Sequence, residues 1–220
     1  MFKDRVDAAR KLAKQLDELD LDAPLVLAIP RGAVPMARVI AEALHGELDV
    51  VLVRKLGAPG NPELAIGAIS EHGDVSLSRQ SIRVYGREYI ESEAALQLET
   101  LRQRRQSYTP VRTPIDPAGR QVVIVDDGSA TGSTMETALK AVRSRGPARL
   151  VAALGVAPPE VVRRLKTLAD EVVCLHAPTH LYAVGQFFND FSQVTDEEVF
   201  RLLREHAQPD DASGRGPNDE

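Results

Sequence analysis

The chain has 220 residues, 43% hydrophobic and 27% charged, and its 27 Lys+Arg against 32 Asp+Glu leave a formal charge of −5. That composition suits one large α/β domain or two small ones, while a single cysteine, Cys174, excludes an intramolecular disulfide framework and a thiolate zinc cluster. Mild acidity excludes a broad nucleic-acid footprint, no stretch approaches the ~20 apolar residues of a membrane helix, and the charge-studded opening MFKDRVDAARKLAKQLDEL holds no secretory h-region, so a reducing cytoplasm is the expected compartment.

Phe2, Val6, Ala9, Leu12, Ala13, Leu16 and Leu19 recur at three- and four-residue steps and predict an amphipathic helix with one buried stripe. Residues 25–29 form an apolar run too short for a helix; it reads as a strand, ends in Pro30-Arg31-Gly32, and is followed by a helix to about Leu44 with Pro35 in its first turn. A second strand over 48–53, closed by Arg54-Lys55, completes a βαβ unit. Gly57, Pro59, Gly60, Asn61 and Pro62 mark a loop, and residues 64–70 and 75–79 flank Glu71-His72-Gly73-Asp74, which predicts a β-hairpin arm within 56–84. From Gly86 to about Tyr108 helix formers carry dense charge, including Arg102, Arg104 and Arg105, and read as a helix with a solvated face. Strands over 121–125, 149–156 and 171–175, alternating with helices over about 133–145 and 158–168, predict an α/β fold with an open parallel sheet covered on both faces. An aromatic stretch over 182–191 and a helix opened by the Thr195/Glu198 capping box close a single domain spanning 1–207, and residues 208–220, lacking apolar anchors, read as a disordered tail.

The segment with chemistry is VVIVDDGSATGST, residues 122–134. Its apolar run makes a buried strand, so Asp126, Asp127 and the loop emerge at a strand's carboxyl end, where open α/β sheets bind ligands. Gly128 and Gly132 let the backbone turn and approach a ligand closely, and successive N–H groups at a helix N-terminus cradle a phosphate. The hydroxyls of Ser129, Thr131, Ser133 and Thr134 add donors. Two carboxylates beside a phosphate cradle oppose the anion unless a second, hydrogen-bond-donating group binds there too, and a ribose diol is such a group. The bland alternative is an ordinary strand-turn-helix in which Asp-Asp-Gly makes a tight turn and the hydroxyls cap the helix.

This segment closely resembles the phosphoribosyl pyrophosphate (PRPP) motif of type I phosphoribosyltransferases. The resemblance implies that Asp126 and Asp127 hold the ribose hydroxyls, that Gly128, Ser129, Ala130, Thr131, Gly132, Ser133 and Thr134 make the 5′-phosphate loop, and that Arg31 and Gly32 bind diphosphate. It also implies sheet order 2-1-3-4-5, with the first and third strands side by side at the switch point, a mobile arm over 56–84, and a small C-terminal hood over 176–194. Arg31, Asp126 and Asp127 are the implied catalytic residues. Lys55 is a further diphosphate candidate or half of a solvated Arg-Lys pair; Arg79 and Arg83 read first as surface residues and second as diphosphate contacts. Mg²⁺ is implied as a cofactor carried mainly by PRPP, with no direct protein ligand; the implied partners are PRPP, a small nitrogenous acceptor and, as the family often dimerises, a second copy.

Tyr182, Phe187 and Phe188 either stack on a flat acceptor base or pack the C-terminal segment onto the sheet. His176 and His180 lack metal-site spacing. The function implied is transfer of 5-phosphoribosyl from PRPP to a nitrogen nucleophile with release of diphosphate; the alternative is a non-catalytic PRPP sensor. No G-x-G-x-x-G follows the first strand, which counts against a redox or methyl-transfer nucleotide domain.

Overall fold

The computed structural model describes residues 1–77 and 79–207, the side chains of Glu63 and Arg79 aside; the expected tail over 208–220 and the diphosphate role of Arg79 lie outside the described residues. In chain order come α1 (Arg5–Asp17), β1 (Leu25–Ala28), α2 (Val34–Ala43), β2 (Glu47–Val50), β3 (Val53–Ala58), β4 (Asn61–Ser70), β5 (Val75–Leu77), α3 (Arg79–Tyr85), α4 (Arg87–Tyr108), β6 (Gln121–Gly128), α5 (Ser133–Ser144), β7 (Arg149–Val156), α6 (Pro159–Leu165), β8 (Glu171–His176), a 3₁₀ turn (Val184–Phe187) and α7 (Asp196–Ala207).

Five strands form a parallel sheet in the order β2-β1-β6-β7-β8, which is the expected 2-1-3-4-5 arrangement. Alternate residues feed two cores, as the pleat requires. Val26, Ala28, Val123, Val125, Val151 and Ala153 face α1, α2 and α7, while Leu25, Leu27, Val122, Ile124, Ala152 and Leu154 face α5 and α6. The capping residues act as their types predict: Asp4 accepts from the Asp7 amide at 2.8 Å at the start of α1, and Thr195 Oγ1 accepts from the Glu198 amide at 3.1 Å ahead of α7.

Two expectations change. The second strand ends at Val50, and the arm is a three-stranded antiparallel sheet, β3-β4-β5, of which the expected hairpin is only part. A charged cluster lies at the sheet edge where the chain turns into the arm. Asp49, 2% exposed, accepts from the amides of Val50 (2.7 Å) and Ile115 (2.9 Å). Arg105 on α4 reaches the Val50 carbonyl at 2.9 Å and grips Glu71 in the turn between β4 and β5 with two hydrogen bonds. The Val50 carbonyl faces the free edge of β2 and is satisfied by the guanidinium, while the Val51 amide still donates to the Ala28 carbonyl at 3.0 Å before the chain leaves the sheet. Helix α4 is therefore not simply a solvated face: the Arg105 side chain is only 15% exposed and pins the arm to the domain.

Candidate active site

Pairing of Ala28 with Val125, continued by the Ile29 amide to the Val125 carbonyl at 3.0 Å, brings the carboxyl ends of β1 and β6 level. Pro30-Arg31-Gly32 and Asp126-Asp127-Gly128 thus leave the sheet side by side, and the helices that follow, α2 and α5, both point their N-termini at this crevice. The Pro30–Arg31 peptide is cis. Gly32 is required by space: a Cβ there would collide with Asp127 Oδ2 and lie 3.3 Å from the Arg5 guanidinium.

Asp126 and Asp127 are half-buried neighbours. Burial, and then the adjacent Asp127 charge, push the Asp126 carboxyl well above the ordinary carboxylate range; burial also raises Asp127, opposed by its hydrogen bond and ion pair with Arg5. Past the pair, the Ser129 amide donates to the Val156 carbonyl at 2.9 Å and Ser129 Oγ accepts from the Gly132 amide at 2.9 Å, folding the loop back on itself. Gly132 has φ 82°, a left-handed turn that suits glycine, and opens α5 without a side-chain cap. Thr131 and Ser133 hydroxyls lie 3.1 Å apart, and Arg164 on α6 holds the Thr131 carbonyl and Glu136. The amides of Ala130, Thr131, Ser133 and Thr134 have no protein partner among the described residues. Such a ring of N–H groups and hydroxyls is chemically an anion cradle.

Arg31 is half-buried, its Nη1 3.9 Å from Asp196 at the start of α7, a carboxylate that also lies 3.6 Å from Arg104. Lys55 is not at the end of β2. It lies exposed on β3 opposite Ala68, in the arm sheet rather than the sheet that bears the acid pair, because the strand breaks at Val50. Arg83 is exposed on α3.

The hood seats on two glycines. A Cβ on Gly128 would meet Val184 at 2.7 Å, and one on Gly155 would meet the Asp127 carbonyl at 2.5 Å and the Phe188 ring at 3.5 Å. Phe188 is 6% exposed, its ring 5.0 Å from that of Phe2 and 4.9 Å from that of Phe191, so it packs the hood and presents no open face to a base. Tyr182 is 85% exposed, and Phe187 lies partly buried with its ring centroid 6.0 Å from His176. Burial lowers the His176 pKa, favouring the neutral ring.

Sequence reasoning missed Arg5. Its Nε donates to Asp127 Oδ2 at 2.9 Å and its Nη1 to the Ser192 carbonyl at 2.7 Å, with the guanidinium carbon 3.8 Å from the Phe191 ring centroid. Helical spacing puts residue 5 on the apolar stripe, four and seven residues ahead of Ala9 and Leu12, so a charge on a buried face was there to be read, but the spacing names no partner 122 residues away.

The family model for the phosphoribosyl transferase domain matches residues 2–187, which takes in both loops of the crevice, 30–32 and 126–134. The chain belongs to that family. The protein TT1426 from Thermus thermophilus is 51% identical, with a TM-score of 0.82 over 93% of this chain and 98% of its own. Two Mycobacterium tuberculosis proteins assigned by name to the phosphoribosyl transferases, MT0597 and Rv0571c, are each 42% identical over 205 residues, 92% of this chain and 46% of theirs. The chain thus spans about half the length of the curated relatives it matches. Among the described residues no helix is long and apolar enough to cross a membrane, and no group of three or more His, Cys, Asp or Glu side chains is placed to hold a metal ion.

Proposed function

We propose that this phosphoribosyl transferase domain transfers the 5-phosphoribosyl group of PRPP to a nitrogen nucleophile, a nucleobase or a similar small heterocycle, in the cytoplasm. One observation carries the reading: an acid pair and an uncommitted amide cradle share the carboxyl end of β6, beside the Pro30-Arg31-Gly32 loop of β1. The 5′-phosphate would sit against the amides and hydroxyls of the 129–134 loop, the ribose hydroxyls would donate to Asp126 and Asp127, and the diphosphate would meet Arg31 and the Gly32 amide. The acceptor nitrogen attacks C1 as the C1–oxygen bond to diphosphate breaks, with inversion; diphosphate leaves and the nitrogen loses its proton to the surroundings. The transition state is oxocarbenium-like, so the protein's work is to hold both reactants in line and to stabilise the departing charge.

Two half-buried carboxylates are too few to cage a divalent cation but can orient a hydrated one, which fits Mg²⁺ bound chiefly through substrate oxygens. Bound there, Mg²⁺ would offset charge on the leaving diphosphate. The deciding assay is diphosphate release from PRPP and Mg²⁺ across a panel of purine and pyrimidine bases with a no-base control, in wild type and Thr131→Asp. Release that depends on one base and falls at least about a hundredfold in the variant, whose carboxylate would repel the phosphate, supports the transferase. PRPP binding without release points to a sensor, and no binding of PRPP overturns the reading.

A further inference from the structure

Arg5 joins three parts of the molecule that sequence distance keeps apart. The residues ahead of α1 are tied to the hood by a parallel bridge at Phe2 and Phe188: the Phe2 amide donates to the Phe187 carbonyl at 2.7 Å, the Asn189 amide to the Phe2 carbonyl at 2.9 Å, and the Asp190 amide to the Lys3 carbonyl at 2.9 Å. That tether delivers Arg5 to the acid pair. Its guanidinium is stacked on Phe191, tied to the Ser192 carbonyl and bonded to Asp127, and both side chains of the Arg5–Asp127 pair are almost wholly withdrawn from solvent. On its other flank the same Asp127 oxygen, Oδ2, occupies the space a Cβ on Gly32 would need. Oδ2 is therefore committed, and Oδ1 is the oxygen left to read a ligand.

We propose that Arg5 is a positioning residue for ribose recognition: it sets the Asp127 carboxylate so that Oδ1 meets a ribose hydroxyl, and it ties that setting to the hood. The proposal rests on the phosphoribosyl reading above. One physical reason supports it. A carboxylate with one oxygen held by a stacked, doubly anchored guanidinium cannot swing, so its other oxygen meets the hydroxyl without further ordering cost.

The test is calorimetric titration of the full chain with ribose 5-phosphate, 2-deoxyribose 5-phosphate and 3-deoxyribose 5-phosphate, in wild type, Arg5→Gln and Arg5→Lys, with thermal unfolding of each. Wild type is expected to prefer ribose 5-phosphate over at least one deoxy sugar by about tenfold or more, the worth of a hydrogen bond to a charged group. Arg5→Gln should cut that preference to about threefold or less while leaving deoxy-sugar affinity little changed, and Arg5→Lys, which keeps the charge, should fall between. Equal weakening of all three sugars in Arg5→Gln, or an unaltered preference, overturns the proposal, since a residue that only supports the hood cannot distinguish one hydroxyl. Should Arg5→Gln fail to fold, Phe191→Leu, which removes the ring beneath the guanidinium and keeps the charge, is read by the same two outcomes. A wild-type protein that binds none of these sugars, or all of them equally, overturns the phosphoribosyl reading itself.

Discussion

Asp127 Oδ2 is bonded to the Arg5 guanidinium and occupies the space a Cβ on Gly32 would need. Gly32→Ala is expected to drive the carboxylate off Arg5, weakening PRPP affinity at least about tenfold while costing only about 1–2 kcal/mol of stability, since the collision is local; titration beside denaturant unfolding separates the two. The acid pair itself is a load on the fold. Asp126 has its folded-state pKa raised by burial and by Asp127, so the folded protein takes up a proton before the unfolded chain does, and stability falls as the pH climbs from the unfolded value through the folded one. Asp126→Asn should therefore melt higher than wild type at neutral pH, by about 1 kcal/mol or roughly 2–4 °C, with the gap closing as acid protonates the wild-type carboxyl, while PRPP binding is lost. A melting-temperature series from pH 4 to 8 checks the sign. Residues 126–134 were legible in the sequence because small, hydroxylated and acidic types in that order have few structural uses. Arg5 was not, because its place on the buried stripe of the first helix says that the guanidinium needs a partner without naming a carboxylate 122 residues away. Phe188 was legible as an aromatic near the site, but its composition could not tell a packed ring from an open one.

At the scale of elements, a charged clasp ties the arm to the sheet edge, beside the bonds of Tyr89 to the Gly57 carbonyl at 2.9 Å and of Lys140 to Ser76 at 2.6 Å. Arg105 links α4 to the β4–β5 turn through Glu71 and to the sheet edge through Asp49 and the Val50 carbonyl. Arg105→Met would leave Asp49 and Glu71 facing each other with little solvent, at an expected cost of about 2–4 kcal/mol. Hydrogen exchange should show faster exchange in β3 to β5 and little change in β6 and β7, and equal exchange across both sheets would refute a local clasp. Period and propensity gave the central strands and the hairpin, whose apolar runs and turn residues are local signals. The charged clasp between the arm and the sheet edge joins segments 34 residues apart, which no local window contains.

Across the whole molecule, topology does the gathering. Parallel pairing of β1 with β6 sets two loops, two helix N-termini and an acid pair at one end of the sheet, although their sequence positions differ by about a hundred residues. That much follows from β-α alternation. What the alternation leaves open is who covers the crevice. The cover is woven from both extremes of the domain: residues 2–3 hydrogen-bond residues 187–190, and Phe2 is buried between His176 and Phe188. This bears on the order of events during synthesis. The sheet and the phosphate loop can form once β7 has left the ribosome, but Phe2 and Arg5 have no seat until the 184–192 segment emerges. On the proposed reading, a nascent chain would thus possess its phosphate cradle before the clamp on Asp127, and selectivity for the ribose hydroxyl would mature only once the 184–192 segment is in place.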